Sequence, residues 1–402
     1  MELEQRLTER LDALRTARLL RKLRAPRGID LASNDYLALS QHPLLKERMI
    51  EGVRRQGCGS TGSRMLTGER DSFASLERTF AAFKGADRAV YFSSGYLANL
   101  AVLTTFAEAG DVIFSDERNH ASLIDGIRLS AASRVIFPHN DAGALARLLD
   151  RHAAGQAFVV IESLFSMDGD LAPLVELAAL CRSAGAALIV DEAHAVGVYG
   201  PRGSGLIEAH EVERDVFVSV NTAGKALGVS GAFVAGSFAA IEYLIQRARP
   251  FMFSTAPTPA VADALEASLS IVTSEPERRQ RLAHLARHLR EGLRAAEIPV
   301  ASGDSHIIPV IAGDNERALA VAGAMQAAGF DVRAIRPPSV PDGTARLRIT
   351  VNVGLDEATL DRFAVALAAA MKDSAARLHP EQTGASALAA GHGPPIRRAL
   401  TP

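Results

Sequence analysis

Lys225 stands in Asn221-Thr222-Ala223-Gly224-Lys225-Ala226-Leu227-Gly228, just after the apolar run Val216-Phe217-Val218. It is one of five lysines against 39 arginines, and the other four fall in segments whose pattern reads as helical. Upstream, Leu188-Ile189-Val190 runs into Asp191-Glu192-Ala193-His194, so a carboxylate and an imidazole close a second apolar run. An amine that captures an aldehyde, an acid that keeps a pyridinium nitrogen protonated and an imidazole beside them are the protein groups that pyridoxal 5'-phosphate (PLP) chemistry requires. In that reading Lys225 forms the Schiff base at C4′ and, once an amino acid displaces it, moves the Cα proton. Asp191 meets the pyridinium nitrogen, and His194 is placed to hydrogen-bond the ring's phenolic oxygen.

Other residues complete such a site. His120, in Asn119-His120-Ala121-Ser122, follows the run Val112–Asp116 and can stack on a planar ring opposite the lysine. Gly95-Tyr96 opens a helix whose free N–H groups can hold a phosphate, and the Thr222 hydroxyl reaches the same phosphate if its loop turns back. Ser166, in Phe165-Ser166-Met167-Asp168-Gly169-Asp170, is a further polar ligand. Arg346 and Arg348 alternate and so share one strand face, where a guanidinium can clamp an amino acid's carboxylate in two places. On the residues alone the ordinary roles stay open: a helix cap for Asp191 or His120, packing for His194, turns for Ser166 and Thr222, and an edge strand for the arginines.

Three short matches point elsewhere and fail on context. Asp191-Glu192-Ala193-His194 spells a helicase acidic motif, but the G-x-x-x-x-G-K-[ST] phosphate loop it needs is missing. Gly57-Cys58-Gly59-Ser60-Thr61-Gly62 matches a dinucleotide fingerprint, yet it follows the helical stretch Leu44–Gln56 where a strand is required. Its glycines suit close backbone approach to a ligand or a partner chain. Tyr91-Phe92-Ser93-Ser94-Gly95 lacks the glycines of a serine-nucleophile elbow.

The elements that position these residues are legible from residue 87 to 237, where short apolar runs alternate with helical patterns. Such alternation implies an α/β fold with a mostly parallel, buried sheet whose site gathers at the carboxyl ends of its strands. Ser94-Gly95, Asp116, Ser163, Asp191 and Lys225 all fall there. One or two helices follow over 258–297, then a smaller α+β unit with strands 306–312, 331–336 and 346–352 and helices 315–328 and 356–371. The expected organisation is an arm and helix over 1–45, a large α/β domain over 46–257, connecting helices and the C-terminal domain over 258–374, and a disordered tail over 375–402. In the arm, Leu3, Leu7, Leu11, Leu14 and Leu19 recur at helical spacing, which predicts an amphipathic packing helix.

The formal charge of −2 gives no reason to expect nucleic acid or an anionic membrane as partner. Cys58 and Cys181 form no disulfide framework, which fits a reducing compartment. With no signal peptide and no apolar stretch of membrane-spanning length, a cytoplasmic protein is expected. No metal site is expected.

Taken together the residues resemble the α-oxoamine synthases, PLP-dependent enzymes of the aspartate-aminotransferase-like fold (fold type I). The resemblance spans roughly residues 10–372. It rests on Leu31-Ala32-Ser33-Asn34-Asp35-Tyr36-Leu37, Ser94-Gly95-Tyr96-Leu97-Ala98-Asn99, His120-Ala121-Ser122, Phe165–Asp170, Asp191–His194 and the Lys225 loop. The string Ala334-Ile335-Arg336-Pro337-Pro338-Ser339-Val340-Pro341, continuing to Arg346 and Arg348, is similar to the biotin-synthesis branch. The resemblance implies Lys225, Asp191, His194 and His120 as catalytic residues, and Gly95, Tyr96, Ser166 and Thr222 as cofactor-binding residues. It implies Arg21, Asn34, Ser339 and Arg348, with His120, as substrate contacts, and Thr255 as a residue reaching a neighbouring subunit's phosphate. Ser339 stands where that branch often has Thr, and Gly59–Arg64 is less glycine-rich than in many relatives. The implied activity is decarboxylative condensation of L-alanine with a pimeloyl thioester, on CoA or a carrier protein, in a homodimer with sites at the subunit interface. A glycine C-acetyltransferase is the alternative within the family. A non-catalytic partner subunit is the alternative outside it, and the presence of Lys225 argues against that.

Overall fold

The computed structural model describes residues 2–152 and 154–378. Its strands are β1 (Ile29–Asp30), β2 (Arg88–Phe92), β3 (Val112–Asp116), β4 (Ser133–Phe137), β5 (Ala157–Glu162), β6 (Ala187–Asp191), β7 (Val216–Thr222), β8 (Ala232–Gly236), β9 (Ile307–Gly313), β10 (Phe330–Asp331), β11 (Ala334–Ile335) and β12 (Ala345–Thr350). Seven form one sheet in the order β2-β8-β7-β6-β5-β3-β4. Only β8 runs against its neighbours β2 and β7, so the sheet is mostly parallel.

The strand residues explain the layers. Along β5, Phe158 and Val160 face one apolar layer while Val159 and Ile161 face the other. Next to it on β6, Ile189 joins the first layer, Leu188 and Val190 the second. A strand apolar on both faces is stable only between two layers of helices. Val102, Leu103 and Leu123 from helices Gly95–Phe106 and Ala121–Leu129 cover one side. Leu145, Leu177 and Cys181 from helices Ala142–Leu149 and Leu174–Ala184 cover the other. Each fully buried Val, Leu, Ile or Phe contributes about 1.5–3 kcal/mol.

The smaller unit is a three-stranded antiparallel sheet, β11-β12-β9. The amino-terminal segment is tied to it: β1 pairs in parallel with β10, and the Thr350 N–H donates to the Leu31 carbonyl at 2.9 Å. That places Asn34 and Tyr36 beside β12. Helices Pro43–Gln56 and Ala260–Ser274 cross at Gly52, where a Cβ would lie 2.8 Å from Ala260 Cα.

Four expectations need correction. The single strand 331–336 is two short strands, because β10 pairs with β1 and β11 with β12, with an Arg333–Asp331 ion pair at the corner. The last helix runs Glu357–Leu378, so 375–378 are helical and not part of a disordered tail. No glycine or proline interrupts the chain there before Pro380. Residues 379–402 lie outside the described residues. Lys22 is in no helix, because the first helix ends at Thr16. That helix, Glu2–Thr16, buries none of its residues, and Leu3, Leu7, Leu11 and Leu14 are exposed, so its apolar stripe is not covered by the other described residues. Among the described residues no helix is long and apolar enough to cross a membrane.

Candidate active site

Strand ends at the carboxyl edge of the large sheet bring the chemistry together. Lys225 sits in the loop after β7, half-buried, with Nζ 2.7 Å from His194 Nε2. No carboxylate lies within ion-pair distance of it among the described residues. Burial pushes the Lys225 amine down to about 8 against the pull of Asp191 and Glu162, and the Arg348 charge adds to the fall. A lysine near neutrality is suited to moving protons.

Asp191 closes β6 and is buried. Its Oδ2 accepts from Asn99 Nδ2 at 2.7 Å and its Oδ1 from the Ala193 N–H at 2.8 Å. Each oxygen keeps a lone pair for a further donor. Asn99 spends its second N–H on Ser122 Oγ at 2.9 Å, and that hydroxyl lies 2.7 Å from His120 Nδ1. His120 is the N-cap of helix Ala121–Leu129, with Nδ1 accepting the Ser122 N–H at 3.2 Å. The capping role and a place at the site are therefore compatible: Nδ1 is engaged by the helix and Nε2 is left for the cleft. Burial, then the Lys225 charge, holds this imidazole below its ordinary value against the pull of Asp191.

His194 is fully enclosed, and burial followed by the charges of Lys225 and Arg348 holds it well below its ordinary value, so it is neutral. Its Nδ1 lies 2.5 Å from the Tyr36 hydroxyl. Tyr36 also lies 3.0 Å from Asn34 Oδ1, which accepts Arg348 Nη1 at 3.0 Å.

The phosphate end has its own signature. Thr222 closes β7 and faces the first turn of helix Gly95–Phe106, so closely that a Cβ on Gly95 would lie 2.7 Å from Thr222 Oγ1. Only glycine fits. The amides of Gly95 and Tyr96 stand at that helix N-terminus, capped by Ser94 Oγ. A hydroxyl beside unpaired helix amides is a ready anion site.

Arg346 and Arg348 lie on a central strand, buried, not on an edge. Both reach the 165–170 loop, Arg346 to Asp168 and Arg348 Nε to the Ser166 carbonyl. Ser166 is thereby held at the site, its N–H also donating to Glu162 Oε2 at 3.3 Å. Arg21 and Ser339 belong to a separate rim: Arg21 Nη2 donates to the Pro337 carbonyl at 3.1 Å, and Ser339 is exposed two residues on. Thr255 bridges Ser63 in its own chain. The closeness at Gly62 is also internal, since a Cβ there would lie 2.3 Å from Thr67 Oγ1. Gly57 and Gly59 face open space.

Three residues that the sequence reading gave no role stand here. Asn99 is an amide within a largely apolar helix, which is a usable signal. Glu162 is an acid ending an apolar strand, level with Asp191. Its Oε1 has no partner, and burial with the Asp191 charge pushes it up to about 8. Tyr36 gave no signal beyond its motif.

The class I and II aminotransferase family matches residues 26–367. The chain belongs to that family. It is 48% identical over 347 residues to the 8-amino-7-oxononanoate synthase of Burkholderia thailandensis, covering 84% of this chain and 88% of that protein. The Burkholderia mallei protein of the same name is 48% identical over 345 residues, with the same coverage. Among solved structures, serine palmitoyltransferase from S. paucimobilis with a bound PLP–myriocin aldimine superposes with a TM-score of 0.86 at 30% identity, covering 92% of this chain and 97% of that one. The 8-amino-7-oxononanoate synthase of Francisella tularensis gives a TM-score of 0.76 at 30% identity, over 87% of this chain and 99% of that one.

The residues present fit PLP. The cradle that a Cβ on Gly95 would fill suits its phosphate, Asp191 retains acceptor capacity for a ring N–H, and Lys225 offers an amine free of carboxylate partners.

Proposed function

We propose that the chain is a PLP-dependent acyltransferase that condenses L-alanine with a pimeloyl thioester to 8-amino-7-oxononanoate, releasing carbon dioxide and the thiol carrier, in biotin synthesis. The observation that carries it is the Lys225–His194 contact beside Asp191, with Arg348 leading into the same hydrogen-bond network. The names of the Burkholderia and Francisella relatives support the choice of reaction.

PLP, when bound, would supply an electron sink that withdraws electron density from the substrate's Cα. Lys225 would hold the cofactor through Nζ before substrate arrives, and the freed Nζ would afterwards take and return the Cα proton. Asp191 keeps the ring nitrogen protonated, with Asn99 and the Ala193 N–H fixing its two oxygens. Thr222 and the Gly95–Tyr96 amides bind phosphate. His194 would hold the ring oxygen through Nε2, and His120 and Ser166 would complete the residues that hold the ring. Arg348 binds the alanine carboxylate beside Asn34, while Arg21 and Ser339 meet the acyl chain at the rim.

We place the enzyme in the cytoplasm as a homodimer, with the 1–45 arm and the apolar stripe of its helix reaching the partner subunit and Thr255 at the partner's phosphate. The large domain (46–257) supplies the cofactor site, and the C-terminal domain (258–374) supplies the carboxylate clamp.

The test is a steady-state panel of L-alanine, glycine and L-serine against pimeloyl-CoA, acetyl-CoA and palmitoyl-CoA. Preference for alanine with pimeloyl-CoA is expected. Preference for glycine with acetyl-CoA reassigns the chain to a glycine C-acetyltransferase. Borohydride reduction and peptide mapping should place the pyridoxyl group on Lys225, and its absence there overturns the site.

A further inference from the structure

An unbroken line of contacts runs from the carboxylate clamp to the catalytic amine. Arg348 Nη1 donates to Asn34 Oδ1 at 3.0 Å. The Tyr36 hydroxyl lies 3.0 Å from that Asn34 oxygen and 2.5 Å from His194 Nδ1, and His194 Nε2 lies 2.7 Å from Lys225 Nζ. Tyr36 is fully buried and held from behind by His306, ring centroids 3.9 Å apart. Its hydroxyl has one proton and two acceptors within reach. Neutral His194 also has one ring proton and two partners.

Those counts allow two arrangements. When Lys225 is an amine, His194 Nε2–H donates to it, Nδ1 accepts the Tyr36 proton, and Asn34 Oδ1 is left to Arg348. When Lys225 is an ammonium, it donates to Nε2, Nδ1–H donates to the Tyr36 oxygen, and the Tyr36 proton turns to Asn34 Oδ1. The second arrangement holds one more proton, on Lys225; the ring proton has changed nitrogen and the hydroxyl proton has changed acceptor.

We infer that Tyr36 is a positioning residue that, before PLP occupies the site, couples the occupancy of Arg348 to the protonation of Lys225. The inference rests on the proposed reading of Arg348 as the carboxylate clamp. A carboxylate that draws Arg348 off Asn34 leaves Asn34 Oδ1 free for the Tyr36 proton and so favours the ammonium arrangement. It also neutralises the Arg348 charge that acts on Lys225. Both effects raise the proton affinity of Lys225 when a carboxylate reaches Arg348 while the site holds no PLP, the state in which His194 Nε2 faces the amine. The other titratable groups facing Lys225 are Asp191 on β6, Glu162 on β5, His120 at the head of helix Ala121–Leu129 and His194. His306, ahead of β9, faces Tyr36 and is pulled down to about 3 by burial and then by Arg348, so it stays neutral throughout.

The chain has only five lysines, so competitive trace acylation followed by peptide mass spectrometry reads the titration of Lys225, with the other four as internal references. The full-length protein without PLP is titrated with and without saturating propionate, a carboxylate that carries no amine. Propionate is expected to raise the Lys225 pKa in the wild type. In Tyr36→Phe the buried Nδ1–H of the ammonium arrangement has no acceptor, so the pKa falls by about one unit, and the propionate response drops to less than half. Asn34→Ala, which leaves the Tyr36–His306 packing in place, moves the pKa in the same direction and covers the case of a Phe variant that does not fold. A Lys225 titration unchanged in the variants, or a full propionate response in Tyr36→Phe, overturns the inference. Failure of the proposed function is separable, because it shows as wild-type protein that makes no product from alanine and pimeloyl-CoA whatever its labelling.

Discussion

Two lysines point inward, one on each side of the same strand end. Lys84, the last residue of helix Asp71–Lys84, donates to Glu192 Oε2 and to the Ser204 carbonyl, and it is 4% exposed. Glu192 is completed by the Leu206 and Ile207 N–H groups at 2.6 and 3.0 Å. Lys225 faces Asp191, one residue earlier; among the described residues it has no carboxylate in ion-pair reach and an imidazole as its partner. Asp191 and Glu192 are neighbours at the end of an extended strand, so their side chains leave on opposite faces. One face is electrostatically closed, the Lys84 charge paired with a carboxylate whose two oxygens both accept. The other is left open, and burial there pushes the Lys225 amine down to about 8. A buried charge that is fully paired holds a fold together, whereas one left short of partners is available for chemistry.

The largest effect that sharpens this contrast is on turnover. Lys225→Ala should lower kcat by at least about 10³-fold, since it removes both the anchor of the cofactor and the proton carrier. Turnover near wild type in a purified, PLP-supplemented variant would move the chemistry to another residue. Lys84→Met should leave the PLP adduct on Lys225 but strip Glu192 of its cation. Breaking a buried pair from one side costs about 3–5 kcal/mol. Urea unfolding monitored by circular dichroism checks it, and a loss below about 1 kcal/mol would mean the pair is not the closed structure described.

The open lysine carries the opposite sign. In the folded protein without PLP its pKa is about 8, below the unfolded value of 10.5. Between those values the unfolded chain holds more protons, so this group's contribution to stability rises with pH there and is a penalty below about 8. Lys225→Met should therefore raise the Tm of the cofactor-free protein at pH 7 by a few °C while abolishing activity. The gain should shrink as pH approaches 10. A lowered Tm would place Lys225 among the residues that hold the fold.

The contrast also shows what a linear reading can reach. Alternating apolar runs placed Asp191, Ser163 and Lys225 at strand ends because a parallel sheet with helices on both faces allows few other arrangements. The large sheet and its chemical edge were legible for that reason. Lys84 was read as an ordinary helical lysine, because nothing local says that the end of its helix abuts Glu192, 108 residues away. Asn99, Glu162 and Tyr36 escaped for a related reason: each acts on another polar side chain distant in sequence, and no spacing rule encodes such a pair. Asn34, by contrast, came through resemblance alone, and the structure supplies its partner in Arg348.

The smallest expected effect concerns a third cation that resembles Lys84 more than Lys225. His139 bridges Asp116 and Asp170, with Nδ1 2.9 Å from one carboxylate and Nε2 2.6 Å from the other. Burial pulls the imidazole down, but the hydrogen bonds and charges of the two aspartates outweigh it and push the group up to about 9. The bridge fastens the Phe165–Asp170 loop, which carries Ser166 and Asp168, to the end of β3. A raised folded pKa gives stability that is fully present below the unfolded value near 6.5 and is lost as pH rises through about 9. Lys225 titrates with the opposite slope above pH 8, so the bare curve of the wild type conceals the bridge. The difference between His139→Gln and wild type isolates it, because Lys225 is common to both. Urea midpoints should therefore differ most at pH 6 and converge by pH 10. A difference that stays constant across that range would mean the imidazole holds the loop as a neutral hydrogen-bonding group and carries no charge of its own.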